Sequence, residues 1–184
     1  MTTTAIATTP FLDLCAKRQS CRSYTGQRID HDTLLQVVEA ARLAPSACNS
    51  QPWKFILVES PEQIKKTAKL GQPEGMNGFL TDCGAILLIV ETKAHLMPGL
   101  EGRIDEQKFA FGDVGCAAMS ATLAAAEAGL GSCIIGMYDN SEVVNALNLP
   151  PDTKITYYIA LGYPKSDLIR KKQRHELDDI LTVI

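Results

Sequence analysis

The chain is poor in basic charge, in histidine and in long apolar runs. Its formal net charge is −3 at pH 7, so it offers no positive field to a nucleic acid backbone or an anionic membrane. No apolar run is long enough to cross a bilayer, and the stretch from Met1 to Cys15 has no Lys or Arg, unlike a secretory signal. We therefore expect a soluble cytoplasmic protein with neither a nucleic acid nor a membrane partner.

Metal-binding and dinucleotide-binding motifs are also missing. The six cysteines form no C-x-x-C pair and none of the three histidines stands beside them, so we expect reduced thiols and no metal site. No G-x-G-x-x-G follows a predicted strand, which argues against a permanently held dinucleotide.

The apolar patterns that are present predict one α+β domain over residues 1–184. Apolar residues make up 46% of the chain, enough for a sizeable core, and no linker or repeat divides it. Asp30 is expected to cap a helix that Pro45 ends. Further helices are predicted over Phe11–Lys17, Pro61–Lys69, Asp113–Gly129, Ser141–Leu147 (capped by Asn140 or Ser141) and Glu176–Leu181, and strands over Trp53–Glu59, Ala85–Glu91, Ser132–Tyr138 and Lys154–Gly162.

Two apolar segments predict a homodimer. The helix Asp113–Gly129 has almost no polar face, so it should be buried on every side, at the centre of a domain or of a dimer. The β-prone tail Ile180–Ile184 would promote aggregation if it were exposed. Docking of the tail on a second subunit covers it, and the alternative is a tail folded back on its own sheet.

Two polar stretches carry the candidate chemistry. Arg18 and Arg22 flank Ser20, and two guanidiniums with a hydroxyl between them can converge on one phosphate, although a solvated turn has the same composition. The second stretch, Ala44–Trp53, offers amide donors and acceptors that match the edge of a flavin, although a capping turn would also contain them.

Together these stretches resemble the nitroreductase family. The series R-x-S-x-R-S-Y, then A-R-L-A-P-S-A-C-N-S-Q-P-W-K-F-I-L-V, is similar to the family's amino-terminal half. Gly129–Gly136 looks like its strand beside the flavin, and Ala160–Pro164 followed by Lys172–Arg174 looks like its carboxy-terminal signature. The resemblance spans about Leu14 to Leu181 and is weak over Gly71–Phe111.

The resemblance implies a central mixed β-sheet flanked by helices, an intertwined dimer and an FMN site. FMN phosphate would be held by Arg18, Ser20, Arg22, Lys172 and Arg174. The isoalloxazine would be lined by Pro45, Ser46 and Asn49, with Gln51 supporting the loop and Asn77 as a further contact. A backbone N–H near Ile135 and Gly136 would meet flavin N5, although many members carry an acidic residue where this chain has Ile135.

The implied activity is an FMN-dependent NAD(P)H oxidoreductase that reduces nitroaromatics, quinones or similar small acceptors by ping-pong hydride transfer. Flavin N5 carries the hydride, so no protein side chain is assigned as catalytic. The alternatives are a reductive dehalogenase or metabolite oxidase of the same fold, a flavin-binding redox sensor or store, and an apo structural dimer. Lys93–Glu106 is a candidate lid over the pocket.

Overall fold

The centre of the molecule is a four-stranded sheet. The structure, a computed structural model, describes residues 7–95, 97, 99, 105 and 107–184. Its strands are β1 (Trp53–Val58), β2 (Ala85–Glu91), β3 (Gly131–Ile135) and β4 (Lys154–Gly162), arranged in the order β1-β2-β4-β3. Each neighbouring pair is antiparallel, and the parallel component among the described residues is the isolated bridge between Ser20 and Ser132. The predicted α+β class is confirmed, with its mixed character limited to that bridge.

Short polar side chains start most of the helices. The helices in the described part of the chain are α1 (Pro10–Lys17), α2 (His31–Arg42), α3 (Pro61–Leu70), α4 (Gln107–Glu127), α5 (Asn140–Ala146) and α6 (Leu177–Ile180). Asp30 caps α2 as predicted, by accepting from the Thr33 N–H at 2.8 Å. The cap predicted for α5 is wrong: Asp139 accepts from the Glu142 N–H at 3.0 Å, while the Ser141 hydroxyl donates to Asp139.

Helices cover both faces of the sheet. Leu87, Ile89 and Ile159 pack with α2 and α4 on one face, whereas Ile86 and Leu88 pack with α3 and α5 on the other. A strand buried on both faces needs an unbroken apolar run, which explains the A-I-L-L-I-V sequence that β2 has before Glu91.

Helix α4 is less buried than its sequence predicts. Residues such as Val114, Ala117 and Ala121 are buried against α2 and the sheet, but the side chains of Phe111 and Met119 are 58% and 40% exposed. By length and composition α4 alone among the described helices could cross a membrane, yet its packing makes it a core helix. Among the described residues of one chain, one face of α4 has no neighbour, so the burial on every side that the sequence predicts is incomplete within that chain.

The two irregular segments of the prediction have different outcomes. Gly71–Leu80 is a loop as expected, shaped by short 3-10 turns at Pro73–Gly75 and Gly78–Asp82. The candidate lid Lys93–Glu106 lies mostly outside the described residues.

Candidate functional site: a basic cavity and a separate polar loop

The residues predicted to hold a phosphate converge on one cavity. Its volume is about 360 Å³, and its walls contain six cationic residues and, among the described residues that line it, no Asp or Glu. The lining residues are Arg18, Gln19, Ser20, Arg22, Arg170, Lys171, Lys172, Gln173 and Arg174. The five residues predicted from both ends of the sequence thus share one pocket.

A glycine on β3 lets the amino-terminal part of the cavity form. After α1 the chain extends alongside β3, where the Cys21 N–H donates to the Ser132 carbonyl at 2.8 Å. A Cβ on Gly131 would lie 2.6 Å from the Cys21 Cβ, so a larger residue would push this segment away from the sheet. Ser20 and its flanking arginines are therefore fixed relative to β3.

Backbone hydrogen bonds bring the carboxy-terminal residues to the same place. The Thr25 N–H donates to the Tyr163 carbonyl at 2.9 Å, and the Lys165 N–H donates to the Ser23 carbonyl at 3.1 Å. The segment after β4 consequently starts beside residues 23–25, and further along it Lys172 and Arg174 line the same cavity as Arg18.

The cavity has an uncompensated positive charge. Arg18 Nε is buried and has no hydrogen-bond partner among the described residues. Lys172 donates from Nζ to the Ala16 carbonyl. Partial burial, together with the charges of Arg18, Arg174 and Arg170, holds the pKa of Lys172 below its usual value. Because a buried donor without a partner is costly, these residues fit an anion such as the phosphate of FMN.

Arg170 is a cavity residue that the sequence analysis missed. Its guanidinium donates from Nη2 to the Ser20 carbonyl at 2.6 Å and from Nε to Gln19 Oε1 at 3.1 Å. The signal was its place in the basic run I-R-K-K-Q-R, two residues before the predicted Lys172. A basic run on an exposed tail is usually solvated, so the sequence alone did not single it out.

The polar loop predicted to face the flavin ring is preorganised. Asn49 and Gln51 have positive φ values of 53° and 48°, a conformation uncommon for residues other than glycine. The loop is pinned because the Gln51 N–H donates to Ser46 Oγ at 2.9 Å and the Ala47 N–H donates to the Asp113 carboxylate at 3.1 Å. Backbone strain held by several contacts is a frequent property of binding sites.

This loop does not join the basic cavity of its own chain, since neither Pro45, Ser46, Asn49 nor Gln51 lines it. Asp113 contacts the loop and lies near the start of α4. Ala126 lies near the end of α4 and, together with Arg18, lines a neighbouring cavity of about 550 Å³. That stretch of helix measures roughly 20 Å. The predicted phosphate and ring residues therefore form two separate groups in one chain.

The remaining predicted contacts also lie outside the basic cavity. Ile135 ends β3 with its side chain buried, and Gly136 follows it in an exposed position with no heavy atom within 4 Å of an added Cβ. Open space at Gly136 is compatible with close approach of a ring to the backbone. Asn77 has a φ of 57° and donates from Nδ2 to the Gly71 carbonyl at 3.0 Å, so its amide stabilises its own loop.

Fold and cavity together define an α+β protein with a separate anion pocket and polar loop. The nitroreductase family model matches residues 15–72 and 67–163, and the chain belongs to this family.

Individual proteins agree with that placement. The chain is 31% identical to an NADH dehydrogenase of Thermus thermophilus, across 88% of this chain and 91% of the relative. It is 31% identical to an FMN reductase [NAD(P)H] of Bacillus subtilis, across 85% of this chain and 66% of the relative. A nitroreductase from Exiguobacterium sibiricum 255-15, solved in complex with FMN, has the same fold, with a TM-score of 0.82, 23% identity and coverage of 98% and 100% of the two chains.

Proposed function

We propose that this protein is an FMN-dependent NAD(P)H oxidoreductase that reduces nitroaromatics, quinones or similar small acceptors by ping-pong hydride transfer, as a homodimer in the cytoplasm. The coarser part, an FMN-dependent oxidoreductase that uses NAD(P)H, is the class of its family and of its named relatives. The acceptors, the kinetic order, the dimer and the compartment are our inference.

The observation that carries the proposal is the cavity with six cationic residues and an unpartnered Arg18 Nε. A phosphate dianion would accept hydrogen bonds from Arg18, Arg22, Lys172 and Arg174 and from the Ser20 hydroxyl. Charge-assisted bonds of this kind are stronger than neutral ones, so the phosphate would dominate the affinity. The choice of FMN over riboflavin follows from that contribution.

The protein's own residues bind and orient the cofactor. When bound, FMN supplies the hydride chemistry, accepting a hydride from NAD(P)H and passing it to the oxidant. The Pro45–Gln51 loop would place amide groups along the ring edge, and the backbone at Ile135 and Gly136 would approach the ring closely. No acid or base of the chain is assigned to the hydride step.

A second copy of the chain would complete the site. The loop contact at Asp113 lies roughly 20 Å along α4 from Ala126, which lines the cavity that shares Arg18 and Arg22 with the basic one, so the loop and the basic cavity are separate within one subunit. The uncovered face of α4 adjoins a groove of about 710 Å³ lined partly by Leu35, Leu43 and Ala124. Packing two such surfaces together would bury them and bring the loop of one subunit to the cavity of the other.

We further propose that residues 1–184 form a single FMN-binding domain.

The decisive experiment is a visible spectrum of the purified protein, taken before and after anaerobic addition of NADH or NADPH. We expect flavin absorption that bleaches on reduction and returns when a quinone or a nitroaromatic is added. Acid precipitation should release FMN, because no covalent linkage is expected. Protein that remains colourless after incubation with FMN would contradict the proposal, and bleaching without reoxidation by any acceptor would favour a flavin store.

A further inference from the structure

The cations of the basic cavity come from two distant parts of the sequence, and one side-chain pair joins them. Gln19 Oε1 accepts from the Arg170 backbone N–H at 3.2 Å and from Arg170 Nε at 3.1 Å. The Gln19 amide in turn donates from Nε2 to the Leu168 carbonyl at 2.8 Å. Both ends of one neutral side chain are therefore bonded to the carboxy-terminal segment.

The Arg170 side chain completes the connection. Its Nη2 donates to the Ser20 carbonyl at 2.6 Å, inside the segment that carries Arg18 and Arg22. All these bonds reach neutral oxygens, so the guanidinium keeps its full charge beside the cavity. Arg170 and Lys172 line the same cavity, and the charge of Arg170 is one of the causes that hold the pKa of Lys172 below its usual value.

Without this pair the cavity would tend to open. Six cationic residues line it, and like charges at short range repel one another. The carboxy-terminal segment from Lys165 to Lys171 is exposed, so burial contributes little to holding it in place. Hydrogen bonds must then supply the restraint. Lys172 contributes one from its own Nζ to the Ala16 carbonyl, and those of Gln19 and Arg170 hold the backbone of the segment that leads to Lys172.

We propose that Gln19 and Arg170 form a latch that positions Lys172 and Arg174 for the phosphate of FMN, an inference that rests on the proposed function. Gln19 is a positioning residue with no charge of its own. Arg170 positions the segment and adds positive potential. The latch selects phosphorylated flavin over riboflavin.

The neutral half of the latch provides the sharpest test. Dissociation constants of FMN and riboflavin are measured by fluorescence quenching for apoprotein carrying Gln19→Ala, Arg170→Ala or both. We expect Gln19→Ala to weaken FMN binding about tenfold, because Lys172 and Arg174 would lose their bonds to the charged phosphate. Riboflavin has no phosphate, so its binding should weaken less than threefold. The double variant should bind FMN no more weakly than Arg170→Ala, because each single change already opens the latch.

Lys171→Ala is a control matched in charge to Arg170→Ala. It removes one positive charge from the same segment and leaves both latch residues in place, so its effect on FMN should be smaller than that of Gln19→Ala and should vanish at high salt. Hydrogen exchange of the wild-type and Gln19→Ala apoproteins gives a readout independent of flavin. The Arg170 amide should exchange faster in the variant, while the amides of β2 remain protected.

The outcomes separate two failures. If wild-type protein binds neither flavin, the proposed function fails. If it prefers FMN but Gln19→Ala leaves both that preference and the exchange of residues 168–172 unchanged, the latch is wrong and the cavity acts by charge alone.

Discussion

The carboxylate of Asp113 on α4 accepts a hydrogen bond from the backbone N–H of Ala47 at 3.1 Å, across 66 positions of sequence. This contact fixes the loop that contains Asn49 and Gln51 to the central helix. The loop thereby acquires a defined shape before any ligand arrives, which lowers the ordering cost of binding.

Asp113→Ala should weaken FMN and riboflavin equally, because the loop is expected to contact the ring that both ligands share. One bond to a half-exposed carboxylate is lost, so we expect about a fivefold effect on each dissociation constant. Asp113→Asn keeps an acceptor and should restore most of the affinity. A selective loss of FMN binding in Asp113→Ala would place the loop near the phosphate instead.

Arg18→Ala should show the opposite selectivity. The guanidinium is expected to contribute a charge-assisted contact to phosphate, so FMN should bind at least about tenfold more weakly, while riboflavin should be little affected. Isothermal titration of the apoprotein measures both constants. Arg28→Ala, at an exposed position outside the cavity lining, is the control and should leave both constants unchanged. Equal losses for the two ligands would argue against the phosphate assignment.

The lowered pKa of Lys172 predicts a pH dependence of FMN affinity. The phosphate favours the protonated amine, so binding should raise this pKa and take up a proton. FMN should bind with full affinity at pH values below the lowered pKa of Lys172 in the free protein. The affinity should decline as the pH rises from there through the higher pKa that Lys172 has in the complex. The ratio of the FMN to the riboflavin dissociation constant, followed from neutral to alkaline pH, isolates this effect from titration of the shared ring.

Lys172→Arg is the matched test of that dependence. A guanidinium stays charged over the whole range, so the alkaline decline in the ratio should disappear. If the decline persists in Lys172→Arg, another group is responsible.

Local sequence patterns predict most of the helices and strands of this molecule, because the apolar spacing and the capping residues that form these elements lie within the elements themselves. The unbroken apolar run Ala85–Val90 specifies a strand covered on both faces, and Asp30 specifies a helix start. Arg18 and Lys172 line one cavity, a grouping that the family resemblance implies and that their spacing in the sequence does not.

Other features depend on tertiary contacts that the sequence does not encode locally. Phe111 is exposed in one chain, and the sequence could not predict this, because an apolar helix has the same pattern whether its own core or a second subunit covers it. Gln19 and Arg170 meet across the whole chain, and exposed polar residues of this kind ordinarily have no fixed partner. The separation of the Pro45–Gln51 loop from the cavity is likewise a property of the packed structure.

Turnover is expected to be ping-pong. The sequence carries no dinucleotide fingerprint, so NAD(P)H and the oxidant are expected to occupy one open site in turn. Initial rates measured while both concentrations vary should give parallel double-reciprocal lines, and a flat aromatic acid should compete with each substrate. Intersecting lines would require both substrates to be bound together and would rule out the shared site.

The last prediction concerns the dimer and the carboxy-terminal tail. The side chains of Ile180 and Val183 are 69% and 85% exposed in one chain, which is unfavourable for apolar side chains in a β-prone tail.

If the tail docks on a second subunit, the double substitution Ile180→Asp and Val183→Asp places charges in that interface. Sedimentation velocity at micromolar concentration should then show a dimer for the wild type and a shift toward monomer for the variant. FMN should be lost in parallel, because the proposed site takes its ring loop from the other subunit. Gln27→Asp, at an exposed position far along the chain from the tail, should remain dimeric. A wild-type monomer with full flavin occupancy would show that one chain forms the site alone.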